Sequence, residues 1–173
     1  MGRVTTGERP YARRIRRRAV DNEALRLHHR QYRARLMRYV LSGDLLTVMT
    51  APIIYSTLVP FAMLDLWITL YQAACFRAWG IARVRRRDYF AVDRHKLAYL
   101  NGLEKMNCLF CSYANGVIGY VREVAARTEQ YWCPIRHARR TRHPHDRYAV
   151  FPVYGDAAGY RRGLLSLRAA LKK

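Results

Sequence analysis

The chain has 173 residues, 51% of them hydrophobic, which is enough for one ordinary domain with a core. Lys and Arg number 32 against 12 Asp and Glu, a formal charge of +20, so the partners to consider are polyanions: an anionic lipid surface, an acidic protein or nucleic acid. Four cysteines in a chain of this length exclude a disulfide scaffold, and the charged start MGRVTTGERPYARRIRRR has none of the apolar character of a secretory signal peptide, so the thiols are expected in a reducing compartment, free or on a metal.

Residues 1–20 are Arg-rich without apolar periodicity and are expected to form a flexible basic arm. Over 21–44 the pattern changes. Leu25, His28, Tyr32, Leu36 and Tyr39 recur at helical spacing among arginines, with Asp21 placed to cap and Gly43 to stop a basic amphipathic helix suited to a membrane surface.

Leu45 to Phe76 then runs for 32 residues with one formal charge, Asp65. One bilayer crossing needs about 20 residues and two crossings with a turn about 40 or more. Pro52 and Pro60 interrupt the run, and both flanks are basic: residues 1–44 hold 12 Arg against 4 acids, and RVRRRDY follows. Length and charge together predict a helical hairpin over 45–82, turning near Pro60, with both termini on the cytoplasmic side; a single tilted span is the alternative. A carboxylate inside such a run is costly alone, so Asp65 is expected to cap a helix or to meet an Arg from another segment.

Over 83–145 a small helical domain is expected. DYFAV reads as a short strand-like piece. Asp93 is placed to cap a helix carrying Leu97, Leu100, Leu103 and Met106, and Asn115-Gly116 reads as the turn that starts a second helix with Val117, Tyr120, Val121 and Val124 on one face. RHARRTRHPHDR reads as a basic surface loop. Residues 146–173 form a C-terminal extension that ends in a basic amphipathic helix, YRRGLLSLRAALKK.

Two short stretches carry metal-ligand spacing. NCLFCSY sets Cys108 and Cys111 three apart, the spacing of a metal knuckle, and YWCPIRH sets His137 four after Cys133, with Pro134 stiffening the loop. Together they predict one tetrahedral Cys3His site from Cys108, Cys111, Cys133 and His137, holding one metal ion, structural zinc ahead of iron. Three unliganded thiols and a surface histidine are the alternative. No phosphate-binding glycine loop and no nucleophile beside a base is visible, so no catalytic residues or small-molecule substrate are expected.

The stretch LNGLEKMNCLFCSYANGVIGYVREVAARTEQYWCPIRHARR, with APIIYSTLVPFAMLDLWITLYQ and DRHKLAYLN before it, resembles an uncharacterised family of small bacterial membrane-associated proteins. The resemblance covers roughly residues 45 to 140 and rests on Cys108, Cys111, Tyr131, Trp132, Cys133, Pro134 and His137. It implies a bacterial inner-membrane setting. The expectation is therefore a mainly α protein, a membrane-associated helical hairpin plus a small cytoplasmic helical domain built around a Cys3His metal knuckle. Such a protein would serve as an accessory or assembly subunit of a larger membrane complex and touch anionic lipid. A small iron-containing electron-transfer protein is the first alternative, and a basic nucleic-acid-binding protein the second.

Overall fold

A computed structural model of the chain describes residues 23–35 and 45–172. The fold is mainly helical, and no strand occurs among the described residues. The piece read as strand-like is irregular, with single turns at Arg86–Asp88 and Arg94–Lys96.

Helix α1 (Glu23–Arg30) is shorter than the helix expected over 21–44. It closes in a turn, where the N–H of Tyr32 donates to the His29 carbonyl at 3.2 Å. Leu27 and Tyr32 stay exposed. The basic arm, Asp21 and Gly43 lie outside the described residues.

The apolar run is one helical rod and not a hairpin. Helix α2 (Leu45–Ser56) passes through Thr57 into α3 (Leu58–Tyr71), which continues as a widened turn, Gln72–Phe76, and a last turn, Arg77–Trp79. Thr57 keeps right-handed helical dihedrals (φ −65°, ψ −15°), so the chain does not reverse there. Pro60 is the third residue of α3, where a helix has no internal use for the missing N–H. The ladder only tightens locally: the Thr57 N–H donates to the Ile54 carbonyl at 3.2 Å, and the Phe61 N–H resumes the regular spacing to Thr57 at 3.2 Å. The rod stops at Gly80, whose φ of 68° favours glycine, and the Ile81 N–H donates back to the Phe76 carbonyl at 2.8 Å.

The two helices expected around Cys108 and Cys111 are a single helix, α4 (Gly102–Trp132). It starts at Asn101 rather than Asp93. The Asn101 Oδ1 accepts from the Glu104 N–H at 3.0 Å, and Glu104 Oε2 accepts from the Asn101 N–H at 2.8 Å, a reciprocal cap that satisfies two orphan donors. Asn115-Gly116 makes no turn. Asn115 Nδ2 donates back to the Cys111 carbonyl at 2.8 Å, and a Cβ at Gly116 would stand 2.7 Å from the Phe90 ring. The glycine is there for a close approach between helix and chain. Helix α5 (Ala157–Ala169) is the expected C-terminal helix, capped by Asp156, whose Oδ1 accepts from the Gly159 N–H at 2.8 Å.

The chain divides into two compact units, Met1–Met49 with Asp93–Leu109 and Thr50–Val92 with Phe110–Lys173. The units interleave along the sequence. In the first, His29 and Tyr99 meet edge to face with ring centroids 5.4 Å apart. The second holds the main core: Phe76, Ile81, Val84, Tyr120, Val124 and Leu171, with Ile68, Tyr71 and Trp79 packed on them. Within this unit α3 lies along α4. Tyr71 Oη and Thr128 Oγ1 are 3.0 Å apart, and Trp79 stacks on Tyr131 at 5.6 Å.

Candidate functional site

The structure does not bring Cys108, Cys111, Cys133 and His137 together. Cys108 and Cys111 sit inside α4, and Cys133 follows its last residue. The 21 residues from Cys111 to Trp132 rise about 31 Å along the helix. Two sulfurs on one zinc lie no more than about 4.6 Å apart, twice the Zn–S bond. The Cys3His site and an unbroken α4 are therefore mutually exclusive. Among the described residues no group of three or more His, Cys, Asp or Glu side chains is arranged to hold a metal ion. Cys111 and Cys133 are exposed, Cys75 and Cys108 half-buried, and all four thiols are free. His137 lies on the surface with its backbone N–H donating to Tyr148 Oη at 2.5 Å.

Asp65 meets an arginine from another segment. Arg86 grips it with two hydrogen bonds, Nε to Oδ1 at 2.9 Å and Nη2 to Oδ2 at 2.5 Å, and Tyr113 Oη donates to Oδ2 at 3.0 Å. A forked guanidinium on a carboxylate is the strongest neutralisation a protein side chain offers. The bond to Asp65 pushes Arg86 above its already high value. Burial, followed by the bond to Asp65, raises the Tyr113 phenol. Arg86 also lies over the Phe90 ring, its guanidinium carbon 3.9 Å from the centroid. Two helical turns on, Gln72 is buried and fully used: Nε2 donates to Tyr120 Oη at 3.0 Å, and Oε1 accepts from the Val84 N–H at 2.6 Å.

Glu123 is the second polar hub. Its Oε1 accepts from Arg127 Nε at 2.8 Å and from Arg147 Nη2 and Nε at 2.8 and 3.1 Å. Burial pushes the Glu123 carboxyl up, but the bonds from Arg147 and Arg127 outweigh it and hold the carboxyl below its ordinary value. Each guanidinium reaches onward: Arg127 Nη1 to the Ala82 carbonyl at 2.5 Å, and Arg147 Nη1 to Gln130 Oε1 at 3.0 Å. Gln130 Nε2 then donates to the Leu167 carbonyl at 2.8 Å. One carboxylate thus ties α4 to the returning chain, to the turn at Asp146–Val150 and to α5. Helical spacing in the sequence shows the Arg127 partner, one turn along, but not Arg147, which lies 24 residues downstream.

The apolar rod changes character at Asp65. From Leu66 onward only one side is bare: Leu66, Trp67 and Leu70 are exposed, whereas Asp65, Gln72 and Phe76 are buried. Before it the exposure is wider: Leu46, Met49, Ile53, Val59 and Met63 on one side are all more than 60% exposed and Ile54 and Leu58 on another are 47% and 43% exposed, while Ala51, Tyr55 and Phe61 are half-buried and Tyr55 meets Phe110 edge to face at 5.9 Å.

In comparisons with family models, curated proteins and solved structures the chain matches none, and the family resemblance rests on its motif residues alone.

Proposed function

We propose that the protein is membrane-anchored, held in the bilayer by the charge-free stretch Leu45–Leu64 and carrying its basic helical body at the membrane surface. The observation that supports this most is the bare helix. It is apolar around its whole circumference, with Ile53 68% and Val59 62% exposed. A helix apolar on all sides needs an apolar surrounding, and water is a poor one. Its 20 residues rise about 30 Å, the thickness of the hydrocarbon core. The first charge, Asp65, comes only after that length and is already neutralised by Arg86. Trp67 is 73% exposed just past it, where an amphipathic ring suits the headgroup level. Exposed Arg83, Arg85 and Arg87 beyond the rod then face anionic headgroups, worth about 1 kcal/mol each near such a surface.

A single rod replaces the expected hairpin, and His29 of the N-terminal flank meets Tyr99 from the chain beyond the rod. A membrane anchor bearing a basic body fits a binding or assembly component of a membrane complex better than it fits an electron carrier, because the residues expected to hold iron are spread over α4 and the loop after it. Fractionation of cells expressing the chain tests the reading. The protein should pellet with membranes and stay there through a high-salt wash, since apolar burial is not screened by ions. Release by salt alone would leave only surface electrostatics and would contradict it.

A further inference from the structure

The loop after α4 is strongly basic, and neither the anchor nor the core makes use of it. Between Ile135 and Arg147 it carries Arg136, Arg139, Arg140 and Arg142. Arg136, Arg139, Arg140 and Arg142 line one surface cleft of about 480 Å³, together with His137 and Tyr148, and no carboxylate lines it. None of the four arginines has an ion-pair partner among the described residues.

The cleft is held open by bonds at both ends of the loop. At the near end the Arg136 N–H donates to the Pro152 carbonyl at 2.9 Å, the Arg136 Nη2 donates to the Ala149 carbonyl, and the His137 N–H donates to Tyr148 Oη at 2.5 Å. At the far end Arg122 Nη2 donates to the Pro144 carbonyl at 2.7 Å, and a hydrogen bond of 2.8 Å joins His145 Nε2 to Glu129 Oε2. Residues 138–142 form the rim between these anchors, with Arg139, Arg140 and Arg142 exposed on it. Mutual repulsion among these cations is not relieved by the protein itself.

A second observation comes from Arg136. Its Nε is buried and has no acceptor. A guanidinium N–H without a partner is a costly state that an incoming oxyanion removes. Arginine forks match the oxygens of phosphate in pairs, and several of them around one preformed cleft suit a group carrying two negative charges rather than one.

We infer that this cleft, formed by Arg136, Arg139, Arg140 and Arg142, is a binding site for a phosphate group. A phosphomonoester or pyrophosphate supplies the charge and the acceptor geometry, whether it belongs to a soluble metabolite or to a lipid headgroup. The site lies outside the anchor and stands whether or not the anchor crosses the bilayer.

The test uses the full chain purified in non-ionic detergent, titrated by calorimetry in two arms, one with inorganic pyrophosphate and one with short-chain phosphatidic acid. Both should show saturable binding, and the tighter arm names the source. The variant R139Q/R140Q/R142Q, changed only at exposed rim positions, should bind at least roughly tenfold more weakly, because the charge-assisted bonds are lost. The control R161Q/R162Q, which removes charge from exposed positions on α5, should bind within about twofold of the parent, since long-range charge is screened at physiological ionic strength. Saturable binding lost in the rim variant and kept in the control supports the site. Absence of binding in both arms, an equal loss in the control, or binding only to an RNA oligonucleotide and not to pyrophosphate would overturn it.

Discussion

Replacing Glu123 by Gln removes the charge at the centre of its hub while keeping the side chain's size. Three guanidinium bonds of 2.8 to 3.1 Å converge on one oxygen. The groups are mostly shielded, with 21% of the Glu123 side chain exposed, 18% of Arg127 and 27% of Arg147. Hydrogen bonds to charged groups contribute roughly 1.5–3 kcal/mol each, and the variant strands two half-buried cations, so a net loss of roughly 2–4 kcal/mol is expected. At about 2–4 °C per kcal/mol for a chain of this size, melting followed by helical circular dichroism in detergent should fall by roughly 5–15 °C. The pH dependence gives an independent check. Arg147 and Arg127 hold the folded carboxyl below its unfolded value of about 4.3, so the unfolded chain takes the proton first. The stabilisation is complete above that unfolded value and is lost as pH falls through the folded one. The gap between parent and Glu123→Gln should therefore be full near neutrality and close on acidification. A melting point within about 1 °C of the parent at neutral pH, or a gap that stays constant on acidification, would refute the hub.

Asn101→Ala removes one half of the reciprocal cap of α4 and should cost about 1 kcal/mol, read as a drop of a few degrees in the same melt. Zinc added to the purified chain should leave its helicity unchanged, and elemental analysis should give Cys133→Ser the same metal content as the parent; loss of one equivalent on that substitution would mean that α4 opens to bring Cys133 back to Cys111.

The sequence carried the helical class, the extent of the apolar run and, as one of two roles offered for Asp65, its pairing with an arginine, because each depends on a gross property: periodicity, length without charge, and the cost of a lone carboxylate. It did not choose Arg86 among the arginines of RVRRRDY, since that choice belongs to the path of the chain alongside α3. The C-x2-C spacing is ambiguous on its own terms. Three residues make a knuckle turn, and they also make nearly one turn of helix. Asn115-Gly116 has the letters of a turn, but the glycine serves the close approach of Phe90, and the asparagine folds back onto the Cys111 carbonyl. Pro60 looked like the point of reversal and sits instead in the first turn of α3, where its missing N–H costs little. The signal that was legible and went unused is Asn101-x-x-Glu104, a capping pattern that marks the true start of α4.

The bare stretch Leu45–Leu64 carries the central claim, and two charges placed within it test that claim most directly. Ile53 and Val59 lie on either side of its middle and are 68% and 62% exposed, so Ile53→Asp with Val59→Asp disturbs no packing in the body. In the hydrocarbon core two carboxylates cost roughly 5 kcal/mol or more, enough to expel an anchor. The measurement is flotation of parent and double variant on a density gradient with phospholipid vesicles in high salt, with circular dichroism to confirm equal helicity. The account predicts that the parent floats and the folded double variant stays at the bottom. A folded double variant that floats with the parent would contradict it.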